Sequence, residues 1–150
     1  MSVVESEADL TKVILLIEDS KADARLVQEV LKSSSVSHEL RIVRDGLAAM
    51  DYLRQGADYA DAPRPHLIVL DLNLPKKDGR EVLAEIKSDP DLKRIPVVVL
   101  TTSHHEEDIT TSYELHVNCY ITKSRNLKDL FKLVQGIESF WLETVTLPRI

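Results

Sequence analysis

Polar side chains that could do chemistry come after the short apolar runs of this sequence. They are Glu18, Asp19, Asp71, Thr101 and Lys123. Two carboxylates brought to ~4 Å at an effective dielectric of about 20 repel each other by about 4 kcal/mol. A hard divalent cation removes that repulsion, and a small set of oxygen ligands suits Mg²⁺, which keeps several of its waters. The three carboxylates therefore predict a magnesium site.

The predicted magnesium ligands differ in reach. Asp19 and Asp71 are expected to bind the metal directly, and Asn73, two residues after Asp71, can turn its carbonyl group inward. Glu18 is one methylene longer than an aspartate, so we expect it to act through a water molecule. Two carboxylates, one backbone carbonyl oxygen and several waters would complete an octahedron.

A metal with open positions favours phosphoryl chemistry at Asp71. This carboxylate can attack phosphorus in line and form an acyl phosphate, and the Thr101 hydroxyl and the Lys123 ammonium can stabilise the developing charge. Each residue alone has an ordinary explanation: Asp71 as a cap, Glu18-Asp19 as a solvated strand end, Lys123 as a surface lysine. Their shared position after successive apolar runs favours one site, while the spacing alone leaves the reaction open.

The apolar runs predict the strands that position these residues. Val13–Ile17, Leu67–Leu70 and Val97–Leu100 are continuous runs rich in Val, Ile and Leu, which is typical of parallel strands buried on both faces. Weaker strands are predicted at Leu40–Val43 and Cys119–Ile121. Amphipathic helices alternate with the strands, so the pattern predicts a three-layer, doubly wound α/β sandwich with a five-stranded parallel sheet. In such folds ligands bind at the carboxyl ends of the strands, where the strand order reverses.

Helix boundaries are marked by capping patterns. Ser20-x-x-Asp23 and Ser103-x-x-Glu106 resemble capping boxes, and Asp45 precedes a further helix. The predicted helices are Ser20–Leu31, Gly46–Arg54, one that opens at Asp78, Glu106–Leu115 and Asn126–Leu142.

Composition excludes several classes of protein. The 150 residues suit one domain, and a hydrophobic content of 43% supports a core. A net charge of −6 without a basic patch excludes a nucleic-acid partner, and no apolar run approaches the ~20 residues of a membrane helix. The single cysteine, Cys119, fits a reducing cytoplasm. We expect a soluble cytoplasmic domain at residues 12–145, a flexible tail at residues 1–11 and a C-terminal tail at residues 146–150.

The last predicted helix carries apolar residues on more than one face. They are Leu127, Leu130, Phe131, Val134, Ile137, Phe140, Trp141 and Leu142. A surface helix of this fold needs only one apolar stripe. Either Phe140 and Trp141 fold back on their own domain, or this helix and the fifth strand form a homodimer, since large apolar patches rarely stay exposed.

Four segments resemble the receiver domain of bacterial response regulators. They are I-L-L-I-E-D-S (14–20), L-I-V-L-D-L-N-L-P-K-K-D-G (67–79), V-V-V-L-T-T (97–102) and Y-I-T-K (120–123). The similarity covers about residues 12–140, and the D-x-x-x-P-x-x-D-G pattern at 71–79 is highly specific. Within the family, the chain is most similar to the single-domain response regulators of cyanobacterial phytochromes, particularly at 19–32 and 126–145.

This resemblance implies a CheY-like, flavodoxin-like (βα)5 fold and a signalling protein rather than an enzyme. Asp71 matches the phospho-acceptor, and Glu18-Asp19 matches the acidic pair that binds the metal. Thr101 and Lys123 match the family's hydroxyl and lysine, and Tyr120 matches the switch aromatic. Phosphorylation is expected to draw Thr101 toward the phosphoryl group so that Tyr120 turns inward. The implied partners are a sensor histidine kinase of phytochrome type and a downstream protein.

Two positions depart from the family pattern. The acidic pair is often Asp-Asp in the family and is Glu-Asp here. The family lysine is usually followed by proline through a cis peptide bond, whereas Ser124 follows Lys123. A cis bond without proline costs about 2.5–4 kcal/mol, but the resemblance leads us to expect that the cis geometry is retained.

Other functions are alternatives at this point. A magnesium-dependent aspartyl-phosphate phosphatase would place a general acid two residues after its nucleophile, where this chain has Asn73. A phosphorelay intermediate would pass the phosphoryl group onward. A nucleotide-binding module would need a glycine-rich first loop, which residues 18–21 do not supply. A degenerate receiver that acts only as a scaffold is disfavoured by the complete set of site residues.

Overall fold

The computed structural model describes residues 11–149. The predicted N-terminal tail therefore lies outside the described residues, apart from its last position. The strands are β1 (Lys12–Ile17), β2 (His38–Val43), β3 (Leu67–Leu70), β4 (Val97–Thr101) and β5 (Cys119–Thr122). The α-helices are α1 (Lys21–Lys32), α2 (Gly46–Leu53), α3 (Gly79–Ser88), α4 (Glu106–Glu114) and α5 (Leu127–Ile137). Short 3₁₀ turns lie at Ala57–Tyr59 and Leu92–Arg94.

The strands form one parallel sheet in the order β2-β1-β3-β4-β5. The three central strands are continuous apolar runs because helices cover both of their faces: β3 and β4 are buried throughout, and β1 is buried from Val13 onward. The edge strands β2 and β5 are mostly half-buried. The predicted doubly wound (βα)5 sandwich is therefore confirmed.

Helices pack on both faces of the sheet. Residues of α1 and α5 share one apolar core, and residues of α2 and α3 share the other. The helix α4 differs from these four, because Ser112 is its only buried residue. Apolar packing therefore fixes α4 less firmly than it fixes the other helices.

Side-chain caps begin four of the helices. The capping residues are Ser20, Asp45, Asp78 and Asn126. The capping box predicted at Ser103 is wrong, because α4 follows His105, whose side chain makes no cap bond. Ser103 instead donates its hydroxyl to Asp108 in the first turn of α4. The charge of its acceptor strengthens this hydrogen bond, which ties Ser103 to the first turn of α4 from outside the cap position.

The last helix is shorter than the sequence predicts. It ends at Ile137 and continues as a π-helical segment, Glu138–Thr144. Leu142 and Leu147 are buried in the core that α1 and α5 share, while Phe140 is exposed and stacks edge-on against Trp141. No helix within residues 11–149 has the length and apolar character needed to span a membrane.

His66 joins β1 to β3 at the amino ends of these strands. Its backbone N–H donates to the Val13 carbonyl at 2.7 Å, and its ring Nδ1 accepts the Val13 N–H at 3.0 Å. Only a neutral imidazole offers such an acceptor. Burial lowers the pKa of His66 below its ordinary value, which keeps the ring neutral.

Gly79 allows the loop after Asp71 to fold tightly against the start of α3. A Cβ atom at Gly79 would lie 2.3 Å from the Asp71 carbonyl oxygen and 2.5 Å from the Leu72 Cα. Both neighbours are backbone atoms, which cannot rotate out of the way. The Gly79 N–H also donates to the Leu72 carbonyl at 2.9 Å, so this close approach fixes the position of Asp71.

We expect Gly79→Ala to lower the free energy of unfolding by about 1–3 kcal/mol, the usual effect of overpacking. Gly136→Ala is the matched control, because a Cβ atom there would meet nothing within 4 Å. Replacing that helical glycine should stabilise the chain by about 0.5–1 kcal/mol. Urea unfolding of the parent and both variants measures the two effects, and effects of the same sign would contradict the explanation.

Candidate functional site

Side chains from four strand ends meet where the strand order reverses. Glu18 follows β1, Asp71 follows β3, Thr101 ends β4 and Lys123 follows β5. All four are buried. The structure thus brings together four of the five side chains that the apolar runs mark, whereas the side chain of Asp19 is exposed.

The Lys123 ammonium lies among three carboxylates. Its Nζ donates to Glu18 Oε1 at 2.6 Å, to Asp23 Oδ2 at 2.7 Å and to Asp71 Oδ2 at 3.1 Å. The side chains of Lys123, Glu18 and Asp71 are 4%, 3% and 8% exposed, so salt and water screen these charges little. Three carboxylates facing one ammonium leave an excess of negative charge at this end of the sheet.

Asp23 is a member of this cluster that the sequence pattern did not reveal. A capping box would direct its carboxylate to a backbone N–H. Only half of that box forms: Ser20 Oγ accepts the Asp23 N–H at 3.2 Å, while the Ser20 N–H donates to Glu18 Oε2 at 3.1 Å. Asp23 is therefore left to bind Lys123. One feature of the sequence could have indicated this role: Asp23 is an acid in the first turn of the helix that directly follows the Glu18-Asp19 pair.

Burial and the shared ammonium shift the pKa values of the cluster. Burial raises the pKa of Glu18 to about 7, despite its hydrogen bond with Lys123. Burial alone would also raise the pKa of Asp71, but the Lys123 charge and the Thr101 hydroxyl hold it below its ordinary value. Burial alone would lower the pKa of Lys123, but the carboxylates of Asp23 and Glu18 raise it above its ordinary range. At neutral pH, Asp71 is ionised and Lys123 is protonated.

Thr101 and Tyr120 are both turned toward the site. Thr101 Oγ1 donates to Asp71 Oδ1 at 2.7 Å. The Tyr120 hydroxyl donates to the Ser103 carbonyl at 2.8 Å, and its half-buried ring packs against the core. Both side chains of the predicted coupling therefore lie next to the site, and the coupling itself stays a prediction.

The predicted metal ligands are partly assembled. Glu18 and Asp71 share Lys123, whereas Asp19 and Asn73 are exposed. The Asn73 N–H donates to Asp71 Oδ1 at 3.1 Å. Within the described range, 11–149, no three His, Cys, Asp or Glu side chains are arranged to hold a metal ion. The donor set still fits a hard cation, because it consists of oxygen atoms and carries excess negative charge.

A sequence model of the response regulator receiver domain matches residues 14–135. The chain belongs to this family. The resemblance predicted from four sequence segments is therefore confirmed, and the carboxylate cluster lies within the matched part of the receiver domain.

Two relatives extend over nearly the whole receiver domain. Response regulator Rcp1 of Synechocystis is 76% identical over 145 residues, which covers 97% of this chain and 99% of Rcp1. The probable methanogenesis regulatory protein FilR2 of Methanothrix harundinacea is 41% identical over 136 residues, which covers 91% of this chain and 87% of FilR2.

Two solved structures are also similar to this receiver domain. The Mn(2+)-bound form of Rcp1 aligns with a TM-score of 0.91 at 79% identity, covering 92% of this chain and 99% of Rcp1. The phosphorylated cyanobacterial phytochrome response regulator RcpA aligns with a TM-score of 0.90 at 69% identity, covering 93% of this chain and 99% of RcpA. The predicted similarity to cyanobacterial phytochrome response regulators is therefore confirmed.

The bond after the receiver lysine differs from the prediction. Lys123 and Ser124 are joined by a trans peptide bond, and residues 11–149 contain no cis bond. The predicted cis geometry is wrong, because without proline that geometry costs about 2.5–4 kcal/mol. The loop closes instead through the Asn126 N–H, which donates to Ser124 Oγ at 3.1 Å.

Replacing Lys123 with methionine should raise the pKa values of the carboxylates around it. A buried acid that loses its counter-charge keeps its proton to higher pH, so we expect Asp71 to titrate above its ordinary range. Carboxyl ¹³C NMR titration in the presence of a chelator measures this change. Lys132→Met, at an exposed position of α5, is the control and should leave the titration unchanged. Identical Asp71 curves in Lys123→Met and the parent would contradict the prediction.

Proposed function

We propose that this receiver domain accepts a phosphoryl group on Asp71 from the phosphohistidine of a phytochrome-type sensor histidine kinase. The observation that carries the proposal is the buried Asp71 carboxylate, which Thr101 approaches from the end of β4 and Lys123 from the end of β5. Similarity to Rcp1 and to phosphorylated RcpA supports the class of kinase.

A downstream protein then binds the changed face around α4. The chain acts in the cytoplasm as a phosphoacceptor that assists its own phosphorylation and dephosphorylation.

The contacts of Asp71 suit it to nucleophilic attack. Its lowered pKa keeps the carboxylate ionised. One carboxylate oxygen forms the new O–P bond while the P–N bond to the donor histidine breaks, and the imidazole leaves with that electron pair. The Thr101 hydroxyl and the Lys123 ammonium donate to the phosphoryl oxygens as negative charge develops on them. Both donors are already held against Asp71, so little rearrangement is needed.

A divalent cation, which we propose to be Mg²⁺, belongs at this site. Asp19, Asp71 and the Asn73 carbonyl would hold it directly, and Glu18 would hold it through water. A bound cation neutralises the carboxylates and the phosphoryl oxygens. The excess of negative charge around Lys123 supports this assignment, as does the Mn(2+)-bound form of Rcp1.

Phosphorylation should depend on Asp71 and on the cation. Incubation with Mg²⁺ and acetyl phosphate should add one phosphoryl group to the parent chain, and hydroxylamine should remove it because an acyl phosphate is labile. Asp71→Asn should abolish the addition, whereas Asp129→Asn, a matched change at an exposed position of α5, should retain it. Intact-mass spectrometry measures the product, and a chelator should prevent its formation.

Other outcomes would change the proposed acceptor, cation or function. Phosphorylation of Asp71→Asn would place the acceptor elsewhere, and undiminished phosphorylation in chelator would remove the cation from the proposal. Turnover of small phosphate esters would favour the phosphatase alternative, for which Asn73 supplies no acidic proton. Transfer of the phosphoryl group to a histidine phosphotransfer protein would identify a phosphorelay intermediate.

We further propose that a second copy of the chain covers the open side of β5 and α5. The sheet ends at β5, so the outer edge of this strand is unpaired within residues 11–149. An open, mainly apolar groove of about 790 Å³ lies beside it, lined by Cys119, Ile121 and Trp141 among others. Phe140, which also lines this groove, is 51% exposed. A homodimer would bury this surface.

Phe140→Asp should shift the dimer toward monomers, because an unpaired charge at the interface would have to be desolvated. Leu47→Asp is the control, since Leu47 is 53% exposed on α2, which packs on the other face of the sheet. Sedimentation equilibrium measures the mass of each chain. A monomeric parent, or equal effects of the two variants, would contradict the proposed interface.

A further inference from the structure

A guanidinium fork joins the start of α3 to the start of α4. Arg80 donates through Nε and Nη2 to the two carboxylate oxygens of Asp108, each at 2.7 Å. Its Nη1 donates to Asp78 at 3.0 Å and to the Leu72 carbonyl at 3.4 Å. Hydrogen bonds from Arg80 and Ser103 hold the pKa of Asp108 well below its ordinary range. Bidentate, charge-assisted pairs of this kind are strong and fix geometry in two directions.

The fork closes a ring of contacts around the proposed acceptor. The members, in order, are Asp71, Thr101, Ser103, Asp108, Arg80 and Leu72. The Ser103 N–H donates to Thr101 Oγ1 at 3.5 Å, and the Ser103 hydroxyl donates to Asp108. Leu72 follows Asp71 in the chain, so the ring returns to the acceptor through one peptide bond.

Few buried apolar contacts fix the position of the helix α4. Ser112 is its only buried residue, whereas α3 buries Gly79, Val82, Leu83 and Ile86. Segments with few buried apolar contacts are the ones that open or shift most easily. The Asp108 side chain, by contrast, is 14% exposed and is held by two groups. The start of α4 is therefore held by paired charges, whereas the other helices are held by apolar packing.

Ser103 connects the fork to Tyr120. Its hydroxyl is held by Asp108, and its carbonyl accepts the Tyr120 hydroxyl at 2.8 Å. A shift of Asp108 moves Ser103 and so removes the acceptor that holds the tyrosine inward. The same shift disturbs Thr101, whose hydroxyl accepts the Ser103 N–H.

We propose that Arg80 and Asp108 are a positioning pair that sets the balance between the inward and outward positions of Tyr120. The pair stabilises the inward position by holding Ser103, and with it the start of α4, against α3. This proposal rests on the proposed switch at Asp71 and Tyr120, and it adds a residue on α3 to the control of that switch. Partner binding then depends on the fork as well as on the acceptor.

The test is ¹⁹F NMR of the full chain labelled with 3-fluorotyrosine, before any phosphorylation. Tyr120→Phe assigns the Tyr120 resonance, and line broadening by a soluble gadolinium chelate measures how often that ring faces solvent. Arg80→Gln and Asp108→Asn should each raise the outward population by roughly tenfold, as expected for the loss of a charge-assisted pair. In the double variant the two effects should not add, because both changes break the Arg80–Asp108 pair. Arg80→Lys should lie between, since lysine keeps the charge but not the fork.

Arg64→Gln is the matched control. Arg64 also forms a fork, with the Asp91 carboxylate at 2.7 Å and the Asp91 carbonyl at 2.9 Å, but Asp91 makes no contact with Ser103. This variant should leave the Tyr120 resonance unchanged. If Arg80→Gln also leaves the outward population unchanged, or if Arg64→Gln raises it equally, the proposal is overturned. No phosphoryl group is needed for this measurement, so its result stands apart from the test at Asp71.

Discussion

The structure depends on one ammonium group placed among three carboxylates at the end of a buried sheet. Lys123 pairs with Glu18, Asp23 and Asp71, and the environment is too dry for water to screen the charges that remain. The excess negative charge is distributed unevenly among the three carboxylates. Burial raises the pKa of Glu18 to about 7, so this carboxyl is only partly ionised at neutral pH, while Asp71 keeps its charge. Asp71 is thus an ionised carboxylate with donors beside it, which the proposed phosphorylation would use to stabilise negative charge on the phosphoryl oxygens.

The strand order of the sheet brings these charged side chains together. The order β2-β1-β3-β4-β5 places β1 and β3 side by side at the reversal, so that the acids that follow these two strands lie close together. Gly79 allows α3 to pack closely against the backbone at Asp71, which limits the movement of Asp71. Lys123 directly follows the edge strand β5. Its backbone N–H donates to the Thr101 carbonyl at 2.7 Å, which extends the pairing of β5 with β4 and places the lysine beside the cluster.

The fold and the convergence of Glu18, Asp71, Thr101 and Lys123 could be predicted because both follow from the main chain. Continuous apolar runs predict buried parallel strands, and parallel strands end at one edge of the sheet. The parts that could not be predicted are those in which one side chain has several possible partners. Ser103 fits a helix cap by spacing, yet it binds a carboxylate. The pairing of Asp23, the trans bond after Lys123 and the π-helical end of α5 likewise depend on neighbours that are distant in the sequence.

The opposite end of the central strand pair responds to protons. The His66 ring accepts the Val13 N–H only while it is neutral, and burial holds its pKa below the ordinary value of 6.5. As the pH falls through that ordinary value, the unfolded chain takes up a proton that the folded chain resists. The stability that His66 contributes is therefore present above this range and lost below it. Acid therefore lowers the stability of the protein at the amino ends of β1 and β3. The carboxyl ends of the same two strands lead into Glu18 and Asp71.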